Sequence, residues 1–142
     1  MAIRVRLLLE TTGPAPKNAL VTAAVLNGGF ESESPCLLLP ATAAGRILRS
    51  LPEEGRPVIA EVAGGRTDFV YVQENLEGRI RVQDREGPSS HFEVLISAGE
   101  TEVLVSDTGI DVLGVEIVSF GRGLWRFHGE SIVRPSEPAE HW

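Results

Sequence analysis

The strongest constraint in this 142-residue chain is a period of two. Ile3, Val5, Leu7 and Leu9 alternate with Arg4, Arg6 and Leu8, and only an extended strand turns every second side chain to one face. Gly13-Pro14-Ala15-Pro16-Lys17-Asn18 interrupts the alternation as a turn. Leu20 to Leu26 is a second apolar strand, so the two read as a hairpin. Asn27-Gly28-Gly29 follows, a combination that favours a sharp loop. Leu37-Leu38-Leu39 is a short buried strand stopped by Pro40. Helical spacing then appears once, over Ala41 to Leu51, where Ala44, Ile47, Leu48 and Leu51 share a face, Thr42 is the expected cap and Pro52 the stop.

Strands resume at Val58–Val62, Thr67–Gln73, Arg79–Gln83, Phe92–Ser97 and Thr101–Val105, each bounded by Gly, Pro or Asn. That rhythm belongs to a small sandwich or barrel. Asp107 to Gly114 places Ile110 and Leu113 three apart, enough for a turn or two of helix with Asp107 as the expected N-cap. Val115–Val118 and Leu124–Phe127 complete the strands. The reading is one mostly β domain over residues 1–133 with two short helices. Residues 134–142, rich in Pro and Glu, are expected to be a disordered tail.

Composition narrows the function. The net charge of −7 argues against nucleic-acid binding, which draws its affinity from Lys and Arg. No apolar run approaches the ~20 residues that span a bilayer. Met1 to Glu10 lacks the continuous apolar stretch of a signal peptide, and Cys36 is the only cysteine, so a reducing cytoplasm is the expected location. Arginine dominates the cations, Lys17 being the only lysine, and Arg4, Arg6, Arg79 and Arg81 fall on strand faces where Glu or Asp partners are expected.

Few residues suggest chemistry. His91, His128, His141 and Cys36 lack the spacing of a zinc site, so no metal or other cofactor is expected. Ser106, Asp107 and His128 have the residue types of a nucleophile, an orienting acid and a base, but no nucleophile elbow surrounds the serine. Gly64-Gly65 lacks the lysine of a phosphate loop and reads as a hairpin turn. Asp107-Thr108-Gly109 matches the triplet with which aspartic proteases bring two carboxylates to share a proton, yet it opens a helix, where Asp is a good cap.

A longer pattern is more specific. Ala24-Val25-Leu26-Asn27-Gly28-Gly29-Phe30, then Leu37-Leu38-Leu39-Pro40 and Ala43-Ala44, resembles the active-site region of retropepsin-like aspartic proteases, in the archaeal-type subgroup with Asp-Thr-Gly-Phe loops. Leu104-Val105-Ser106-Asp107, Ile110, Leu113-Gly114-Val115 and Gly123-Leu124-Trp125-Arg126-Phe127 are similar to the late glycine-containing segment and closing strand of that family. The resemblance runs from Ile3 to Phe127.

It implies a closed acid-protease barrel, working as a homodimer with one catalytic loop per subunit and taking an extended peptide over Asn27, Gly28, Gly29 and Phe30. The position of the catalytic aspartate falls on Asn27 and that of the following hydroxyl on Gly28; only Gly29 matches. An amide neither ionises near neutral pH nor shares a proton with its symmetry mate. The pattern therefore points to a fold kept without catalysis, acting as a peptide-binding or assembly module. An active peptidase using another carboxylate such as Asp107, and a purely structural dimeric β domain, are the alternatives. Asn27-Gly28 is also a dipeptide prone to deamidation.

Overall fold

The computed structural model describes residues 2–49, 56–62 and 65–142. Among these residues, ten strands and two helices follow one another as β1 (Arg4–Thr11), β2 (Ala19–Leu26), β3 (Cys36–Pro40), α1 (Ala41–Ile47), β4 (Arg56–Val62), β5 (Gly65–Ile80), β6 (Ser90–Ser97), β7 (Val103–Val105), α2 (Asp107–Val112), β8 (Val115–Ser119), β9 (Leu124–Phe127) and β10 (Arg134–Pro135). Six of the strands close a barrel. Their order is β1-β2-β7-β3-β6-β5, and β5 returns to β1. β2 runs parallel to β7 and β3 parallel to β6; the other barrel pairings are antiparallel. β4 lies outside this ring and, among the described residues, pairs only with β5.

The period-two pattern explains the closure. Ile3, Val5, Leu7 and Leu9 all point inward and are fully buried, while Arg4, Arg6 and Leu8 between them stay half-exposed. Leu37, Leu39, Phe92, Val94, Val103 and Val105 meet them in one core cluster. Each such side chain contributes about 1.5–3 kcal/mol relative to an exposed one. A second sheet, β10-β9-β8, sets Trp125 edge-on to Phe127 with centroids 5.1 Å apart. No helix among the described residues is long and apolar enough to cross a membrane.

Several boundaries differ from the sequence pattern. Thr67–Gln73 and Arg79–Gln83 are not two strands: one strand, β5, runs unbroken from Gly65 to Ile80. Asn75-Leu76-Glu77-Gly78 has the composition of a turn, but Val72 pairs with Val94 and Leu76 with Phe92, so four steps on β5 oppose two on β6. The chain absorbs its turn-like residues as a bulge. α1 ends at Ile47, short of the expected Leu51, because Leu48 already turns to an extended conformation as the C-cap; residues 50–52 of the expected helix and its stop lie outside the described residues. Its N-cap is Pro40, with no side-chain cap from Thr42.

The C-terminal segment does not hang free. Arg134 is buried and pairs with Asp84 and Glu130, and Arg134–Pro135 joins β9 as a strand. Beyond it, Glu137 and Glu140 both bond to Arg6, the backbone amide of Trp142 donates to Thr101 O at 2.8 Å, and its indole Nε1 donates to Thr22 Oγ1 at 3.0 Å. β2 pairs with β7 only over Ala24–Leu26, so among the described residues its first half has no strand on that side, and Glu140 and Trp142 of the tail bond Thr22 there. The arginines thus find carboxylates mostly outside their own strand pairs: Arg4 with Glu102, Arg6 with the tail, Arg79 with Glu86.

Candidate functional site

β2 delivers Asn27 at its end and β3 begins at Cys36, leaving residues 27–35 as the connection. Three backbone and side-chain bonds fix its first turn. Asn27 N donates to Val105 O at 3.0 Å, which holds the loop's start to the end of β7. Phe30 N donates to Asn27 O at 3.0 Å, and Gly29 N donates to Asn27 Oδ1 at 3.0 Å. The carboxamide therefore folds back over its own loop, as Asn does in tight turns. Asn27 and Phe30 are half-buried, whereas Gly28 and Gly29 are exposed.

The Asp107-Thr108-Gly109 triplet lies against this loop. Asp107 N donates to Phe30 O at 2.9 Å, and Asp107 Oδ1 accepts from Ser32 N at 3.0 Å and from Thr108 N at 2.7 Å. Ser32 Oγ and Thr108 Oγ1 are 2.9 Å apart. The structure thus brings Asn27, Gly28, Gly29, Phe30 and Asp107 into one cluster, with Asp107 spending a carboxylate oxygen on backbone amides.

Capping of α2 falls to a different residue than the sequence suggests. Ser106 is the N-cap: its fully buried Oγ accepts from Gly109 N at 3.2 Å and also from Cys36 N at 3.0 Å. One hydroxyl joins α2, β3 and β7. Asp107 occupies the first helical position instead, where its charge meets the positive end of the helix. Gly109 is dictated by packing, since a Cβ there would sit 2.7 Å from Val105 Cγ1. Gly114, at φ +74°, turns the chain out of the helix in the left-handed conformation.

The other sequence candidates disperse. Ser106 Oγ bonds within its own loop cluster, while His128 is exposed and faces Glu116 at 3.8 Å, so no triad assembles. His91 faces Glu77 and His141 bonds Thr101. Among the described residues no three His, Cys, Asp or Glu side chains converge as a metal site. Burial, with a smaller push from Glu93, raises the Cys36 thiol to about 12, which leaves it un-ionised. Gly65 opens β5, and Gly64 lies outside the described residues.

A cluster that sequence reasoning missed sits between β1 and the small sheet. Arg4, Arg6, Arg81, Trp125 and Arg134 line a cavity of about 420 Å³ with Asp84 and Glu137. Within it Arg134 is bidentate to Asp84 at 2.7 and 2.8 Å and also bonds Glu130, whose carboxyl the guanidinium holds down to about 2. The only sequence signal was the arginine alternation; its acidic partners lie far along the chain. Set against known proteins, the chain matches no family model and no curated protein.

Proposed function

We propose that this chain is a retropepsin-like domain that has lost peptidase activity and binds an extended peptide as a homodimeric module. The observation that carries the reading is the state of residue 27. At the loop where the resemblance expects a catalytic carboxylate there is a carboxamide, and its Oδ1 is already an acceptor for Gly29 N. An amide cannot act as the base that activates water, and loss of a general base or acid forfeits roughly 10²–10⁴ of rate. Asp107, the carboxylate that touches the loop, spends its Oδ1 on the backbone amides of Ser32 and Thr108.

Binding by strand addition is supported by β4. It ends the strand order, so one of its edges has no strand beside it among the described residues. Such an edge offers main-chain donors and acceptors to an extended segment. The closed barrel is compatible with a retropepsin subunit, and the loop glycines leave room for a peptide backbone to approach.

Unfolded casein incubated with the protein at acid and neutral pH, with and without pepstatin, tests the loss of activity. No cleavage is the expected result. Pepstatin-sensitive cleavage abolished by Asp107→Asn overturns the reading in favour of an active peptidase. Light scattering tests the assembly, and a strict monomer overturns the dimer.

A further inference from the structure

We propose that Asn27 is a spontaneous modification site, which converts through a succinimide to aspartate or isoaspartate and so installs a carboxylate in this loop. The reaction needs a main-chain nitrogen that can reach the side-chain amide, stabilisation of the oxyanion that forms, and little steric hindrance. Asn27 has all three.

The nucleophile is Gly28 N. Its N–H donates to no described residue, so its proton is open to hydroxide. Gly28 is exposed, and a Cβ built on it meets nothing within 4 Å, so the approach is unobstructed. Gly29 N donates to Asn27 Oδ1 at 3.0 Å, placing a backbone N–H on the atom where negative charge develops. The same bond keeps the carboxamide folded over the Gly28 peptide.

The step balances with water alone. Gly28 N, its proton lost to hydroxide, forms a bond to Asn27 Cγ and the electron pair moves onto Oδ1. Collapse breaks Cγ–Nδ2, and ammonia leaves with a proton taken from water. Water then opens the succinimide: cleavage of N–Cγ gives aspartate, and cleavage of the bond from N to the main-chain carbonyl carbon gives isoaspartate. The chain contains its own controls, because its other two asparagines, Asn18 and Asn75, precede Ala19 and Leu76. Asn18 is also tied through Nδ2 to Ile47 O at 3.0 Å. Only the consequence for catalysis, a carboxylate where none is encoded, rests on the proposed function.

Peptide mass mapping of the full chain, incubated in mildly alkaline buffer, tests the proposal. The expected result is an NH-to-O mass change confined to the peptide carrying Asn27, with isoaspartate among the products. Gly28→Ala, which the open space accommodates, is expected to slow conversion at least about tenfold, because its Cβ crowds the attacking nitrogen. Asn27 remaining an amide while a free peptide of residues 20–35 converts overturns the proposal, as does conversion of Gly28→Ala at the unchanged rate. If Asn27 converts and casein stays intact, the modification stands and so does the loss of peptidase activity. If conversion brings pepstatin-sensitive cleavage, the modification stands and only the inactivity is overturned.

Discussion

Asp107 Oδ1 accepts the backbone amide of Ser32 at 3.0 Å across a sequence separation of 75 residues. The same oxygen accepts Thr108 N, so one atom holds the loop after β2 to the start of α2. This makes Asp107 a tether for the segment that carries Asn27.

A tether built on acceptor geometry tolerates an amide better than a truncation. Asp107→Ala is expected to cost about 1–2 kcal/mol, since two amides lose their partner, while Asp107→Asn costs less than half of that. Chemical denaturation of both variants checks the ranking. Equal losses would mean that the charge, acting on the helix end, matters more than the hydrogen bonds.

Gly109 has no room for a side chain. A Cβ would lie 2.7 Å from Val105 Cγ1 and 3.1 Å from Phe92 Cε1, both in the barrel core. Gly109→Ala is therefore expected to destabilise by about 1–3 kcal/mol despite the better helix propensity of alanine. A thermal midpoint equal to or above that of the parent would show that α2 can move away at no cost.

Acid should weaken the small sheet through Glu130. Its carboxylate accepts from Arg134, Phe127 N and Arg85, which lowers its pKa from 4.5 to about 2. A lowered folded pKa means that the ionised form favours the native state. The contribution is complete above about pH 4.5 and disappears as pH falls toward about 2. Unfolding free energy measured across that window should fall with acid, and Glu130→Gln should flatten the slope. Asp84, Glu102, Glu116 and Glu140, whose pKa values their arginines also lower, leave a residual slope in the variant. An unchanged slope would place the acid sensitivity elsewhere.

The tail should behave as part of the domain. Trp142→Ala removes the indole bond to Thr22 Oγ1, a group with no exposure, and the stacking of Arg46 over the ring at 5.7 Å. The expected cost is about 2 kcal/mol, less than for a fully buried tryptophan because Trp142 is half-buried. Amide exchange at Thr22 and Ala23 should accelerate in the variant. Exchange and stability both unchanged would mean that the tail contributes nothing to the fold.

The alternation at Ile3, Val5, Leu7 and Leu9, the apolar runs at Leu20–Leu26 and Leu37–Leu39, and the two helical patches were legible because local periodicity reports which face meets the core. The chemistry of the loop was legible in the same way: Asn27 is an amide whatever surrounds it. Other features depend on partners far along the chain. Ser106 rather than Asp107 caps α2: its hydroxyl accepts Gly109 N and is held in place by Cys36 N at the start of the neighbouring strand β3. β5 continues through a turn-like stretch because β6 supplies the pairing on either side of its bulge. A Pro- and Glu-rich tail looks disordered until Arg6 and the uncovered start of β2 are placed beside it. By itself the sequence determined a strand-rich chain with a carboxamide at residue 27. The tertiary structure decided that the strands close on themselves, that Asp107 braces the loop, and that the tail is bound. Side-chain period is a local property, whereas closure, capping and docking depend on contacts between residues that sequence distance does not reveal.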